Sequence, residues 1–128
     1  MATRASIARQ DKDGNIYAIY SHWDGYPEGL GTTLEACYKS DELVLRLIEM
    51  GDVSSLGDTL ESEDSIFYHR DRGEELRVHE FGDVESWTEW ARGSWAEYAY
   101  LWRDDLQEWE TFEQDGATRL KSIWAVAK

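Results

Sequence analysis

RASIARQDKDGNIYAIYSHW, residues 4–23, decides the fold. Asp13-Gly14 is a strong two-residue turn signal, because the tightest hairpin turns need positive φ at their central positions. Ile16, Tyr17, Ile19 and Tyr20 then supply the β-branched and aromatic residues of a strand. A two-residue turn at Asp13-Gly14 places Ile7 opposite Tyr20 and Ala8 opposite Ile19. DKDGN resembles the opening of a calcium loop, but its glycine comes two places early and His22 stands where the bidentate Glu belongs. The segment is therefore read as a hairpin and not as a metal site.

The rest of the chain extends this pattern. AEYAYLW and EWETFE form a second hairpin across RDDLQ, with Tyr98, Tyr100 and Trp102 alternating on one face and Trp109 opposite Trp102. Thr32 or Thr33 is expected to cap a short helix through LEACYK. Ser40 caps DELVLRLIEM, whose apolar stripe is Leu43, Val44, Leu47 and Ile48 and whose stop is Gly51. DVSSLGDTLESEDS reads as a loop with at most one helical turn, and IFYHR as a short strand. Asp83 caps VESWTEWARG, with Val84, Trp87 and Ala91 on one face. ATRLKSIWAVA reads as a closing helix with Leu120, Ile123, Trp124 and Ala127 inward. There is no internal repeat, and Pro27 is the only proline. The expectation is a single α+β domain over 1–128. Its antiparallel sheet has about four strands, made of two hairpins, with helices packed on one face.

Charge narrows the function. The chain has 27 Asp and Glu against 13 Lys and Arg, a formal net charge of −14. Aromatic residues make up 13%, which separates it from disordered acidic tails. Such a body is repelled by nucleic acid and by anionic membranes, and is attracted to basic proteins. No apolar run is long enough to span a bilayer, and MATRASIARQDKDG lacks the apolar stretch of a signal peptide. With Cys37 as the single cysteine, no internal disulfide forms, and a cytoplasmic setting is expected.

Two kinds of candidate site emerge. The first is an acidic surface made of Glu61, Glu63 and Asp64 together with Asp104, Asp105, Glu108, Glu110 and Glu113. Glu108 and Glu110 share a strand face at about 7 Å, close to the spacing of phosphates along a nucleic-acid strand. The plain reading of each run by itself is a solvated face. The second is a pocket built from His22, Trp23, Asp24 and Tyr26 with His69, Arg70 and Arg72. His22 and Asp24 form a potential acid–base pair, Trp23 and Tyr26 could stack on a ring, and the glycines that follow could admit a phosphate. The plain reading is a turn, with Arg70 and Arg72 neutralising nearby acids such as Asp24 or Glu28. His22, His69 and His79 show no close metal-ligand spacing, no G-x-S-x-G occurs, and Cys37 reads as an inert helical thiol. No cofactor and no metal are implied. Most tryptophans are expected in the core, with one or two left on the surface.

Through YSHWDGYPEGLGTTLEACY, MGDVSSLGD and FYHRDRGEE, the chain resembles a group of small phage and prophage proteins sharing H-W-D-G-Y-P, G-D-x-S-S-L-G and Y-H-R-D-R-G-E segments. The similarity covers roughly residues 16 to 75 and extends loosely into EYAYLW. It implies a phage-type accessory protein acting in the bacterial host cytoplasm, where small acidic phage proteins often bind and disable a host enzyme. The expected function is non-enzymatic: an acidic surface that docks on a basic host protein, as a nucleic-acid mimic or inhibitor of a host defence or nucleic-acid enzyme. The alternative is a protein that binds or hydrolyses a nucleotide-like small molecule in the second site.

Overall fold

The computed structural model describes residues 2–115 and 119–122. Its first hairpin joins β1 (Arg4–Gln10) to β2 (Ile16–Ser21). The register pairs Ile7 with Ile19 and Ala8 with Ala18, one residue away from the expected pairing. The loop accounts for the shift. Asp11 N–H donates to the Asn15 carbonyl at 2.9 Å and Gly14 N–H to the Asp11 carbonyl at 3.0 Å. Gly14 alone takes positive φ, +93°. These bonds define a three-residue loop, a turn followed by a left-handed glycine, rather than a two-residue one. The Asp11 carboxylate clamps it by accepting from the N–H groups of Asp13 and Asn15.

The sheet corrects the four-strand antiparallel expectation. Seven strands run in the order β4-β3-β2-β1-β6-β7-β8, and a further short strand, β5 (His79–Phe81), pairs with β2. The others are β3 (Val53–Ser55), β4 (Ile66–Phe67), β6 (Ala96–Arg103), β7 (Glu108–Asp115) and β8 (Arg119–Ser122). The sheet is mixed: β1 lies parallel to β6, and β2 parallel to β3. The second hairpin forms as expected, with Trp102 opposite Trp109. Arg119–Ser122, read from sequence as helix, is a strand antiparallel to β7. The rest of that expected helix, with Ile123, Trp124 and Ala127, lies outside the described residues.

Helices cover both faces, not one. On the first face lie α1 (Thr32–Cys37) and α2 (Asp41–Glu49). Their core gathers Ile7, Ile19, Leu34, Val44, Leu47, Tyr100, Trp102 and Trp109. On the second lies α4 (Val84–Gly93), which brings Trp87 and Ala91 against Ala8, Ile16, Ala18, Leu101 and Phe112. Central strands with both faces covered carry near-continuous apolar runs. Ala5-Ser6-Ile7-Ala8 in β1 and Ala99-Tyr100-Leu101-Trp102 in β6 are such runs, each fully buried. Among the described residues, each fully or nearly buried indole has a partner for its N–H. Trp87 donates to Ser6 Oγ at 2.9 Å, Trp102 to Asp41 Oδ1 at 2.8 Å and Trp109 to the Tyr38 carbonyl at 2.9 Å.

Caps behave largely as expected. Ser40 Oγ accepts from Leu43 N–H, Asp83 Oδ1 accepts from Ser86 N–H, and Gly51 stops α2 at φ +81°. The exception is α1. Its entry is Pro27–Gly31, a single π-helical turn running straight into the helix, so neither Thr32 nor Thr33 caps it. IFYHR is also divided: Ile66–Phe67 is strand, and Tyr68–Arg72 is a short helix, α3, ended by left-handed Gly73.

Candidate functional site

The HWDGYP segment spends its polar groups on its own chain. Gly25 N–H donates to the Thr3 carbonyl, Leu30 N–H to Asp24, and Gly29 and Gly31 N–H to Tyr26. No donor of this set is left to hold a phosphate. Gly25 is glycine because β1 crowds it: an added Cβ would lie 2.7 Å from the Thr3 carbonyl oxygen and 2.8 Å from the Ala5 Cβ. Its own carbonyl accepts the buried Tyr100 hydroxyl at 2.7 Å. His22 and Asp24 share no hydrogen bond; His22 Nδ1 instead bonds the Tyr20 hydroxyl at 2.7 Å. Burial first, then the charges of Arg4 and Arg72, hold the His22 ring below its ordinary pKa. Trp23 and Tyr26 are exposed.

The second segment is equally occupied. Arg70 forks onto Asp71 and onto the carbonyls of Leu60 and Ser65. Its job is to tie α3 to the loop before β4, and its carboxylate partner is Asp71 rather than Asp24 or Glu28. Asp71 in turn accepts from Phe67 N–H at 2.8 Å. The Arg70 side chain and that N–H hold the Asp71 carboxyl below the usual carboxylate range. His69 Nδ1 donates to the Glu74 carbonyl. Arg72 lies over the Tyr68 ring and reaches Ser54 Oγ at 3.5 Å. The two segments do come near each other, since Trp23 N–H donates to the Ser54 carbonyl. Of the candidate side chains, only Trp23 and Asp24 line either of the two nearby hollows; His22, His69, Arg70 and Arg72 line neither. Trp23 and Asp24 border one of about 260 Å³ with Glu28 and Thr33, and Tyr68 borders another of about 210 Å³ with Tyr20, Asp52 and Arg77.

The acidic candidates also separate. Glu110 is only 7% exposed and Arg103 Nη1 grips it at 2.8 Å, so it is withdrawn from any surface ridge. Glu108 and Glu110 do share a strand face, but Glu113, an odd number of residues on, takes the opposite one. Glu61 pairs with Arg46 at 3.5 Å, while Glu63 and Asp64 are exposed.

Asp104 and Asp105 belong to a larger assembly. Parallel pairing of Gln10 with Arg103 sets the two hairpin tips side by side. Between them lies a cleft of about 540 Å³ lined by Asp11, Lys12, Arg103, Asp104 and Asp105, with Arg103 paired to Asp105 at 3.6 Å. The N-terminus of α2 abuts the same tip, because Asp41 accepts from Trp102 Nε1 and from Gln107 Nε2. Asp41 and Asp104 are thereby brought into side-chain contact. Partial burial, followed by repulsion from Asp41, pushes the Asp104 carboxyl up. The hydrogen bonds from Trp102 and Gln107 hold Asp41 down. Asp13, Glu42 and Asp104 have no cationic partner within 4.0 Å among the described residues. Leu106, 53% exposed, stands at the apex.

Sequence reading missed Asp11, Asp13, Asp41 and Glu42 as members of this assembly. The hairpins signal two acidic tips, but only the parallel β1–β6 pairing makes them one. Among the described residues no group of three His, Cys, Asp or Glu is placed to hold a metal, and no helix is long and apolar enough to cross a membrane. Comparison with protein-family models, with curated proteins and with solved structures finds no match.

Proposed function

We propose that the chain is a non-enzymatic, phage-type accessory protein whose acidic hairpin-tip surface docks on a basic host protein, in the manner of a nucleic-acid mimic or inhibitor. The carrying observation is the meeting of the two hairpin tips with the N-terminus of α2, which gathers Asp11, Asp13, Asp41, Glu42, Asp104 and Asp105. Like charges this close destabilise the free protein. A cationic partner removes that cost on binding, which gives the arrangement a use that solubility alone does not require. Leu106, exposed at the apex of the second hairpin, supplies an apolar contact, while the carboxylates set the approach rate and the partner's sign.

The test immobilises the protein, passes a bacterial lysate over it at low ionic strength, and elutes with stepped salt. A bound basic protein should elute as salt rises and be displaced by added duplex DNA. Capture should be lost in the Glu42→Gln/Asp104→Asn/Asp105→Asn variant. It should persist in Glu85→Gln/Glu89→Gln, which removes acids from α4 on the other face of the sheet. Capture indifferent to salt, or lost equally in both variants, overturns the proposal.

A further inference from the structure

At the opposite end of β1 and β6 from the hairpin tips, a second cleft of about 550 Å³ opens between the C-terminus of α4 and the sheet. Arg4, Arg92, Trp95, Glu97 and Gln114 line it. Three features meet here, two of them in the connection from α4 into β6. Trp95 is 75% exposed and holds φ at +69°, a left-handed conformation that a bulky aromatic rarely adopts. Such strain persists where the position of the side chain is worth more than the relaxed backbone. Next, β6 carries a bulge: Arg4 pairs with Ala96 and Ala5 with Tyr98, leaving Glu97 as the extra residue. Bulges re-aim side chains and concentrate beside functional sites. Third, Arg4 Nε is buried and has no hydrogen-bond partner, and no carboxylate pairs with Arg4 among the described residues. Arg4 as a whole is only partly buried and lines the cleft, so its terminal guanidinium nitrogens, without a carboxylate partner in a protein of net charge −14, are the ones an anion there can reach.

We propose that this cleft binds a 5′-mononucleotide, with its base stacked on Trp95 and its phosphate held by Arg4, while Arg92, which already has a partner within the protein, adds its charge to the same cleft. Guanidinium groups match phosphate oxygens in geometry, and an indole face stacks on any base. Glu97 and Gln114 offer acceptors for an exocyclic amine of the base. The volume suits one small molecule. A single phosphate is favoured over a nucleic-acid strand, because the field of the whole body repels a polyanion, whereas an arginine in direct contact outweighs that screened field for one phosphate. The site lies away from the acidic tips, so the two proposals stand or fall separately.

Isothermal titration calorimetry with AMP, adenosine and inorganic phosphate tests this. AMP should bind with one-to-one stoichiometry, and adenosine and phosphate each at least tenfold more weakly. Trp95→Gly should weaken AMP at least tenfold while keeping or raising the thermal midpoint, since glycine adopts this φ without strain. Arg4→Gln should bring AMP down to the affinity of adenosine. Absence of AMP binding at millimolar concentration, or a folded Trp95→Gly protein that binds AMP as the parent does, overturns the proposal.

Discussion

At the scale of single residues, this protein uses aromatic polar atoms as ties between distant segments. The Tyr38 hydroxyl donates to the Gly57 carbonyl at 2.9 Å, and the Tyr100 hydroxyl to Gly25 at 2.7 Å. Burial raises both phenols, Tyr38 to about 12. The unfolded chain releases these protons near pH 10. The stability they supply is therefore complete below pH 10 and is lost as pH climbs through the folded value. Alkaline titration should show phenolate absorbance of these two tyrosines rising together with loss of near-UV circular dichroism. Ionisation of all seven tyrosines with the fold intact would contradict the burial of these two. At the same scale, the glycines of HWDGYPEGLG were legible as special positions, but not the reason for them. Gly25 makes room for β1, an approach between segments that no local pattern announces.

At the scale of elements, α4 shows how one helix makes the sheet two-sided. Trp87 is fully buried, and its indole N–H donates to Ser6 Oγ, which itself donates to the Ile19 carbonyl. Trp87→Ala should cost about 3–5 kcal/mol in chemical denaturation, the range for removing a large core aromatic. Ser6→Ala leaves the indole donor buried without a partner and should cost about 1–3 kcal/mol. A Ser6→Ala protein as stable as the parent would mean that the bond contributes nothing. The face of α4 was legible as Val84, Trp87 and Ala91, and the caps of α2 and α4 were legible from Ser40 and Asp83, because capping is a local transaction. Arg119–Ser122 was misread because Leu120 fits a helical stripe, whereas pairing with β7 is a non-local bond that overrides the period.

At the scale of the whole molecule, the net charge of −14 makes the compact state repel itself. Raising sodium chloride from ~20 to ~300 mM should raise the thermal midpoint by screening that repulsion. The gain should shrink as the carboxylates protonate below pH ~5. Asp104 contributes with the same sign: its raised folded value means that stability falls as pH rises from the ordinary carboxylate value through the folded one. A midpoint indifferent to salt at neutral pH would show that the acids are locally balanced, against a coherent field.

By itself the sequence determined the two hairpins, the caps and buried faces of α2 and α4, and the sign of the net charge, because each depends on composition or on neighbours a few residues away. The tertiary structure alone decided that β1 and β6 lie parallel, that helices cover both faces, and that Asp11, Asp41 and Asp104 share one surface while Arg4 and Trp95 share another. The physical reason is that parallel pairing joins strands separated by most of the chain, and the energy selecting it comes from burying Ala5-Ser6-Ile7-Ala8 on both sides at once. Residues far apart in sequence meet only after that burial has been satisfied.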